Sequence, residues 1–172
     1  MKWILIIVLA IIGLIALVAI IGACLPKRHV ASRSVRFRVP LKNVWDVVVA
    51  FGAQQSWRED LIAIERQPDR NGHEVWRETM KNSPPLDFET TELVVGQRVK
   101  RRIVTENLPF GGEWVIELAA NPAGTTLTVT ENGEIYNPVF RFVARFVMGY
   151  TATIDGYLLS LARKLGEDVP PQ

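Results

Sequence analysis

The sequence predicts an α+β protein: one transmembrane helix, then an antiparallel sheet of about seven strands closed by a long C-terminal helix. Three observations carry this expectation. Residues 3–25 are an uncharged apolar run, the middle of the chain alternates apolar and polar residues between turn-forming clusters, and residues 137–166 repeat apolar positions at helical spacing. With 172 residues, the chain holds one domain of ordinary size beyond the apolar run. Its formal charge of +2, with both signs interspersed, lacks the basic stripe of a nucleic-acid-binding protein, so no nucleic-acid partner is expected.

The run WILIIVLAIIGLIALVAIIGACL, residues 3–25, can cross a hydrocarbon core of about 30 Å at about 1.5 Å per residue. A cleaved signal peptide has a shorter apolar region, of roughly 7–15 residues. Residues 1–26 are therefore expected to be an uncleaved anchor, with the lipid bilayer as the partner of residues 3–25. Ile21-Gly22-Ala23-Cys24 resembles a bacterial lipobox, which makes a lipoprotein acylated at Cys24 the alternative and a plain secretory signal the third reading. Lys2 alone precedes the run, whereas Lys27, Arg28, Arg33, Arg36 and Arg38 follow it, so the positive-inside rule puts the domain on the cytoplasmic side, while a signal-anchor reading would invert this. A single cysteine permits no intrachain disulfide.

Residues 27–36 lead from the anchor into the first strand. Across His29–Val39, Val35, Phe37 and Val39 alternate with Ser34, Arg36 and Arg38, the pattern of a half-buried strand that Pro40 ends. Leu41, Val44, Trp45, Val48 and Phe51 then recur at helical spacing until Gly52, and a short helical turn is expected near Gln54–Arg58. Strands follow near Ile62–Gln67, Glu74–Met80, Leu86–Val94, Gln97–Thr105, Glu113–Ala120 and Thr125–Ile135. Between them lie Asp69-Arg70-Asn71-Gly72, Ser83-Pro84-Pro85, Gly96, Pro109-Phe110-Gly111-Gly112 and Asn121-Pro122-Ala123-Gly124, all rich in turn formers. Such short links make an antiparallel meander.

Asn137 suits a helix N-cap, Pro138 the first helical position, and Gly166 a stop. Val139, Val143, Phe146, Val147, Tyr150, Ile154, Tyr157, Leu158, Leu161 and Leu165 fall on one broad face, expected to cover the sheet. Residues 167–172 are expected to form a flexible tail.

From about His29 to Gly166 the chain resembles the SRPBCC superfamily, which includes START lipid-transfer domains, polyketide cyclases and aromatases, and ligand carriers of the birch-pollen-allergen type. The resemblance rests on Val39-Pro40 with Val44-Trp45 and Phe51, on Trp57, on Gly111-Gly112 with Trp114, and on Thr130-Glu131-Asn132-Gly133-Glu134 running into Asn137-Pro138. Many bacterial members carry an Asp-x-x-x-Tyr-Pro-x-Trp segment after the first helix; Phe51-Gly52-Ala53-Gln54-Gln55-Ser56-Trp57 lacks its Tyr and Pro. The resemblance implies a helix-grip fold over residues 29–166, a curved sheet gripping the long helix around a hydrophobic cavity. Trp57, Trp76, Phe88, Trp114, Ile116, Val129, Phe142, Phe146 and Tyr150 are the candidates to line that cavity. For Phe140, Phe142, Phe146 and Tyr150 plain core packing is the competing reading, with approach to the bilayer a third.

Reactive chemistry has few candidates. His29 abuts the anchor and His73 follows a turn glycine, so both histidines are expected to face solvent. With no paired histidines and no Cys-x-x-Cys, no metal site, catalytic residue or cofactor is expected. Glu131 shares a strand face with Leu127 and Val129 and should point toward the helix, where a buried carboxylate needs a partner. Arg101 or Arg102 would supply it, and a Glu131–Arg102 ion pair is the expectation, with a general base or an outward-turning bulge as alternatives. Lys100-Arg101-Arg102 otherwise reads as a solvated strand edge, with contact to anionic headgroups as the alternative.

Three functions fit these residues. The first is a membrane-anchored carrier or sensor for a small hydrophobic ligand such as a lipid, isoprenoid or quinone. The second is a polyketide cyclase-like enzyme with one acid or base, and the third an interaction module with a collapsed pocket, for which the sequence identifies no protein partner.

Overall fold

The computed structural model describes residues 2–172. Helix α1 (Lys2–Cys24) precedes strand β1 (Arg28–Phe37), helix α2 (Leu41–Val49) and a 3-10 turn (Phe51–Ser56). Strands β2 (Leu61–Arg70), β3 (His73–Met80), β4 (Leu86–Val94), β5 (Arg98–Ile103), β6 (Phe110–Asn121) and β7 (Gly124–Ile135) follow. The chain ends in α3 (Pro138–Val143), a π-helical turn (Ala144–Met148) and α4 (Ala152–Lys164).

The seven strands form one antiparallel sheet in the order β1-β7-β6-β5-β4-β3-β2, a meander whose last strand is joined by the first. Odd-numbered residues of β1 and β7 face the helices: Val35, Phe37, Leu127 and Val129 are buried against Val44, Trp45 and Val48 of α2 and against Ile154, Leu158 and Leu161 of α4. This curved sheet around a C-terminal helix is the helix-grip fold. The edge of β1 is covered by the C-terminal residues: Gln172 exchanges backbone hydrogen bonds with Ser34 at 2.8 and 2.9 Å, and Val169 packs on the core. The expectation of a free tail over residues 167–172 is corrected accordingly, since an edge strand offers unpaired backbone groups that a returning chain can satisfy.

The C-terminal helical region departs from one continuous helix. Asn137 caps α3 by accepting from the Phe140 N–H at 3.1 Å, with Pro138 at the first position, as the sequence implies. The chain then widens into the π turn and breaks at Gly149, whose φ of 77° and ψ of 164° are accessible to few residues other than glycine. The part beyond the break, α4, supplies the helical side of the core together with α2, while α3 meets only the end of the sheet. Val139, Phe146 and Val147, expected on the buried face, are 39%, 60% and 73% exposed, because the break redirects the first segment away from the core.

That first segment packs on α1 instead. Gly22 is the one buried residue of α1. A side chain there would collide with the Pro138 carbonyl, 1.9 Å from where its Cβ would stand. Arg141, itself buried, donates from Nη1 to the Leu25 carbonyl at 2.6 Å. Helix α1 is long and apolar enough to cross a membrane, a property that a signal sequence shares.

Candidate functional site

Two groups of side chains meet on the helix-facing side of the sheet. The first lies at the end where β1 begins. His29 has the same parity as Val35 and Phe37 and so points inward, with only 12% of its side chain exposed. Its Nε2 shares a hydrogen bond of 3.1 Å with Glu131 Oε1, and Trp114 Nε1 donates to Glu131 Oε2 at 2.8 Å. Tyr150 stacks on the imidazole, with centroids 4.0 Å apart and planes 15° from parallel.

Gly133 stands directly opposite His29 in the β1–β7 ladder, and a Cβ there would lie 2.2 Å from the His29 Cε1. Gly133→Ala should therefore dislodge the imidazole from Glu131 and Tyr150. The check is the ring-current shift of the His29 ring protons by NMR, which should collapse in the variant; an unchanged shift would show that the notch does not position the ring.

The second group lies deeper, under α4. Glu78, on β3, is 1% exposed and accepts from Arg58 Nη1 at 2.7 Å and from Arg101 Nη1. Arg58 also grips Asp60 through two bonds of 3.2 and 2.6 Å and reaches Gln54 Oε1 at 3.2 Å. The Arg101 guanidinium lies over the rings of Phe51 and Phe88, at 4.3 and 5.0 Å, contacts worth on the order of 1 kcal/mol each. Burial alone would raise the Glu78 carboxyl; the charges and hydrogen bonds of Arg101 and Arg58 outweigh it and hold the group below the ordinary carboxylate range.

Tyr157 of α4 joins the two groups. Its ring meets Trp114 edge-on at 5.6 Å and Trp57 at 5.7 Å, and the Arg58 guanidinium stands 5.6 Å away. Burial pushes the phenol up to about 12, against the pull of the Arg58 and Arg101 charges, so the hydroxyl is a neutral donor at physiological pH. Among the described residues that hydroxyl has no hydrogen-bond partner, nor do Arg101 Nε and Nη2 or Thr90 Oγ1. Buried polar atoms without partners are rare, and water or a ligand commonly completes them.

Several expected contacts are therefore corrected. Glu131 pairs with His29 and Trp114, while Arg102 points to the opposite face and stands 3.6 Å from Glu113, because neighbouring residues of a strand face opposite ways. Arg101 is 7% exposed rather than solvated, since β5 lies in the middle of the sheet. His29 is enclosed, contrary to its expected exposure; extending the parity of Val35 and Phe37 back to residue 29 is the signal that would have found it.

Of the expected cavity residues, Trp57, Trp76, Phe88 and Trp114 pack on or beside the buried core, and Ile116 and Val129 belong to it. Tyr150 reaches His29, but Phe142 and Phe146 stand apart, packed on each other at 4.9 Å outside the sheet–helix interface. None of the nine lines the cleft of about 710 Å³ at the end of the sheet where β1 begins, bordered by His29, Phe110, Gly111, Gly112 and Tyr136 and by the charged Arg28, Arg102, Glu113 and Glu134, which alternate with the inward-facing residues of their strands. His29 belongs to both the cleft and the inner cluster. Phe110 on the cleft wall touches Phe140 of α3, with centroids 6.0 Å apart. Among the described residues, no group of His, Cys, Asp and Glu is arranged to hold a metal.

Residues 28–166 match the model of a family described as polyketide cyclase / dehydrase and lipid transport. No curated protein matches the chain by sequence. Among solved structures, a START superfamily protein from Mycobacterium smegmatis aligns with a TM-score of 0.64 at 15% identity, covering 80% of this chain and 97% of that one. The ZhuI aromatase/cyclase from Streptomyces sp. R1128 aligns at 0.60 and 14% identity, covering 81% and 94%. Norcoclaurine synthase from Thalictrum flavum aligns at 0.64 and 8% identity, covering 82% and 88%. At these identities the likeness is one of fold.

Proposed function

The chain belongs to the polyketide cyclase / dehydrase and lipid transport family, and from that premise we propose that it is a membrane-anchored binding module for a small hydrophobic ligand, acting as a carrier or sensor. The observation that carries this reading is the set of buried polar atoms without protein partners between the sheet and α4, the Tyr157 hydroxyl and Arg101 Nε and Nη2, enclosed by the aromatic rings of Trp57, Trp114 and Phe88, with His29 linking this interior to the cleft at the start of β1. Retention of α1 is supported by Gly22 fitting under Pro138, since cleavage before Cys24 would remove that contact. The basic residues after α1 support a cytoplasmic domain.

A ligand entering from the bilayer would pass Phe110 and meet His29 first. Its apolar body would displace packing among Trp57, Trp114 and Tyr150, and its polar end would reach the unpartnered Arg101 N–H groups and the Tyr157 hydroxyl. Donors without acceptors select a ligand that carries a carbonyl, carboxylate or similar acceptor. The test is mass spectrometry of the full chain in polymer nanodiscs and of residues 27–172 expressed alone. One molecule enriched at equal stoichiometry in both supports the reading. Two clean samples that also fail to take up lipids or quinones from a panel would overturn it.

The His29–Glu131 pair favours a second reading, a cyclase-like enzyme in which the imidazole moves one proton while Glu131 orients it. His29→Gln separates the two: a carrier keeps its ligand, whereas an enzyme keeps binding and loses conversion of it.

A further inference from the structure

The segment Pro138–Met148 is built inside out for a soluble protein. Its buried residues are Arg141 and Ala144, while Phe146, Val147 and Met148 are 60%, 73% and 58% exposed. A helical segment on a water-facing surface does the reverse, turning its arginine out and its large apolar side chains in. Contiguous apolar exposure of this kind marks a surface that meets something other than water.

What it meets follows from where it sits. The segment docks on the last turn of α1, through the Pro138 carbonyl over Gly22 and Arg141 Nη1 on the Leu25 carbonyl. If α1 crosses a bilayer, its end at Cys24 lies at the membrane surface, and so does everything packed on it. Arg145 is exposed on the same short segment, and Lys27 and Arg28 are exposed beside it, which places cations level with phospholipid headgroups next to an apolar tip.

We propose that Pro138–Met148 is a second membrane-contacting element, which inserts Phe146, Val147 and Met148 at the headgroup–acyl boundary and sets Arg145 against the lipid phosphates. The inference rests on the anchor reading of α1. Interfacial helical segments of this composition bury their apolar face a few ångströms below the headgroups, on the order of 5–10 Å. Two contacts with the bilayer, one through α1 and one through this segment, hold the domain in a single orientation. Because Phe140 of α3 touches Phe110 of the cleft wall, that orientation turns the cleft mouth toward the lipid.

The test uses the full chain with Cys24→Ser, reconstituted in vesicles of zwitterionic and anionic phospholipid. A polarity-sensitive fluorophore is attached to one introduced cysteine at a time: Val147→Cys or Met148→Cys in the segment, Leu14→Cys within α1, and Val95→Cys, 75% exposed between β4 and β5, as the water-facing reference. The expected result is a blue-shifted emission at 147 and 148, quenched by doxyl groups on the acyl chains as at 14, while the label at 95 is quenched only by aqueous iodide. A quenched label at 14 with iodide-accessible labels at 147 and 148 would overturn the inference and leave the anchor standing. Labels at 147 and 148 shielded from both quenchers would overturn it in favour of a covering protein, a second copy or a partner. An unquenched label at 14 would remove the anchor reading itself, and this inference with it.

Discussion

Replacing Glu78 with Gln should destabilise the domain by about 3–5 kcal/mol at neutral pH, which corresponds to a fall in Tm on the order of 10 °C for a domain of this size. The carboxylate is the shared partner of the buried Arg58 and Arg101. Gln keeps the shape but supplies no charge. Arg58 retains Asp60 and Gln54, whereas Arg101 is left with the faces of Phe51 and Phe88, and an uncompensated buried cation is costly.

The same residue sets a pH dependence with a definite sign. Its folded-state pKa lies below the unfolded value of about 4.3, so the unfolded chain takes up the proton first as the pH falls. The stability that Glu78 contributes is complete above that value and is lost as the pH drops through the folded-state pKa. Wild type and Glu78→Gln should therefore differ most at neutral pH and converge in acid. Thermal unfolding followed by near-ultraviolet tryptophan signals between pH 3 and 7 measures both; a gap below 1 kcal/mol at neutral pH, or one that does not narrow in acid, would sink this account of the trio.

Tyr157→Phe should leave stability unchanged or raise it slightly, yet weaken retention of the proposed hydrophobic ligand about tenfold, the equivalent of one hydrogen bond of about 1.4 kcal/mol. The ring packs against Trp57 and Trp114, and Phe preserves that packing. The hydroxyl is buried without a partner, so deleting it removes an unsatisfied group and not a bond within the protein. A hydroxyl whose removal costs ligand but not stability is there for the ligand. The checks are the Tm of the variant and the amount of copurifying molecule per mole of protein. Lower stability with ligand retained would mean that the hydroxyl is completed by a structural water.

Much of the architecture is legible in the sequence because it is locally encoded. Strand β4 falls at Leu86–Val94 as its alternation implies, α2 begins at Leu41 after Pro40, and Asn137 caps α3 in its expected role. Each of these depends on residues within a few positions of one another. The interruption at Gly149 is harder to read, since a lone glycine in an apolar run is compatible with an unbroken helix. The candidate site is legible in part: strand parity points Glu131 inward, where its partners are His29 and Trp114 and not an arginine.

The apolar N-terminal helix, the β2–β7 meander and the family are written locally in the chain through hydrophobic period, turn residues and caps, whereas the pairing of β1 with β7 joins opposite ends of the domain. The tertiary structure alone decided which groups meet: Arg101 with Glu78, His29 with Glu131, Arg141 with the Leu25 carbonyl, all far apart in sequence. It also decided that the apolar side chains of Phe146, Val147 and Met148 point out of the domain. The physical reason is that periodicity identifies an apolar face without identifying the medium it faces. An apolar face inside a core and one outside it carry the same pattern, and only the packing of the segment against α1 distinguishes them.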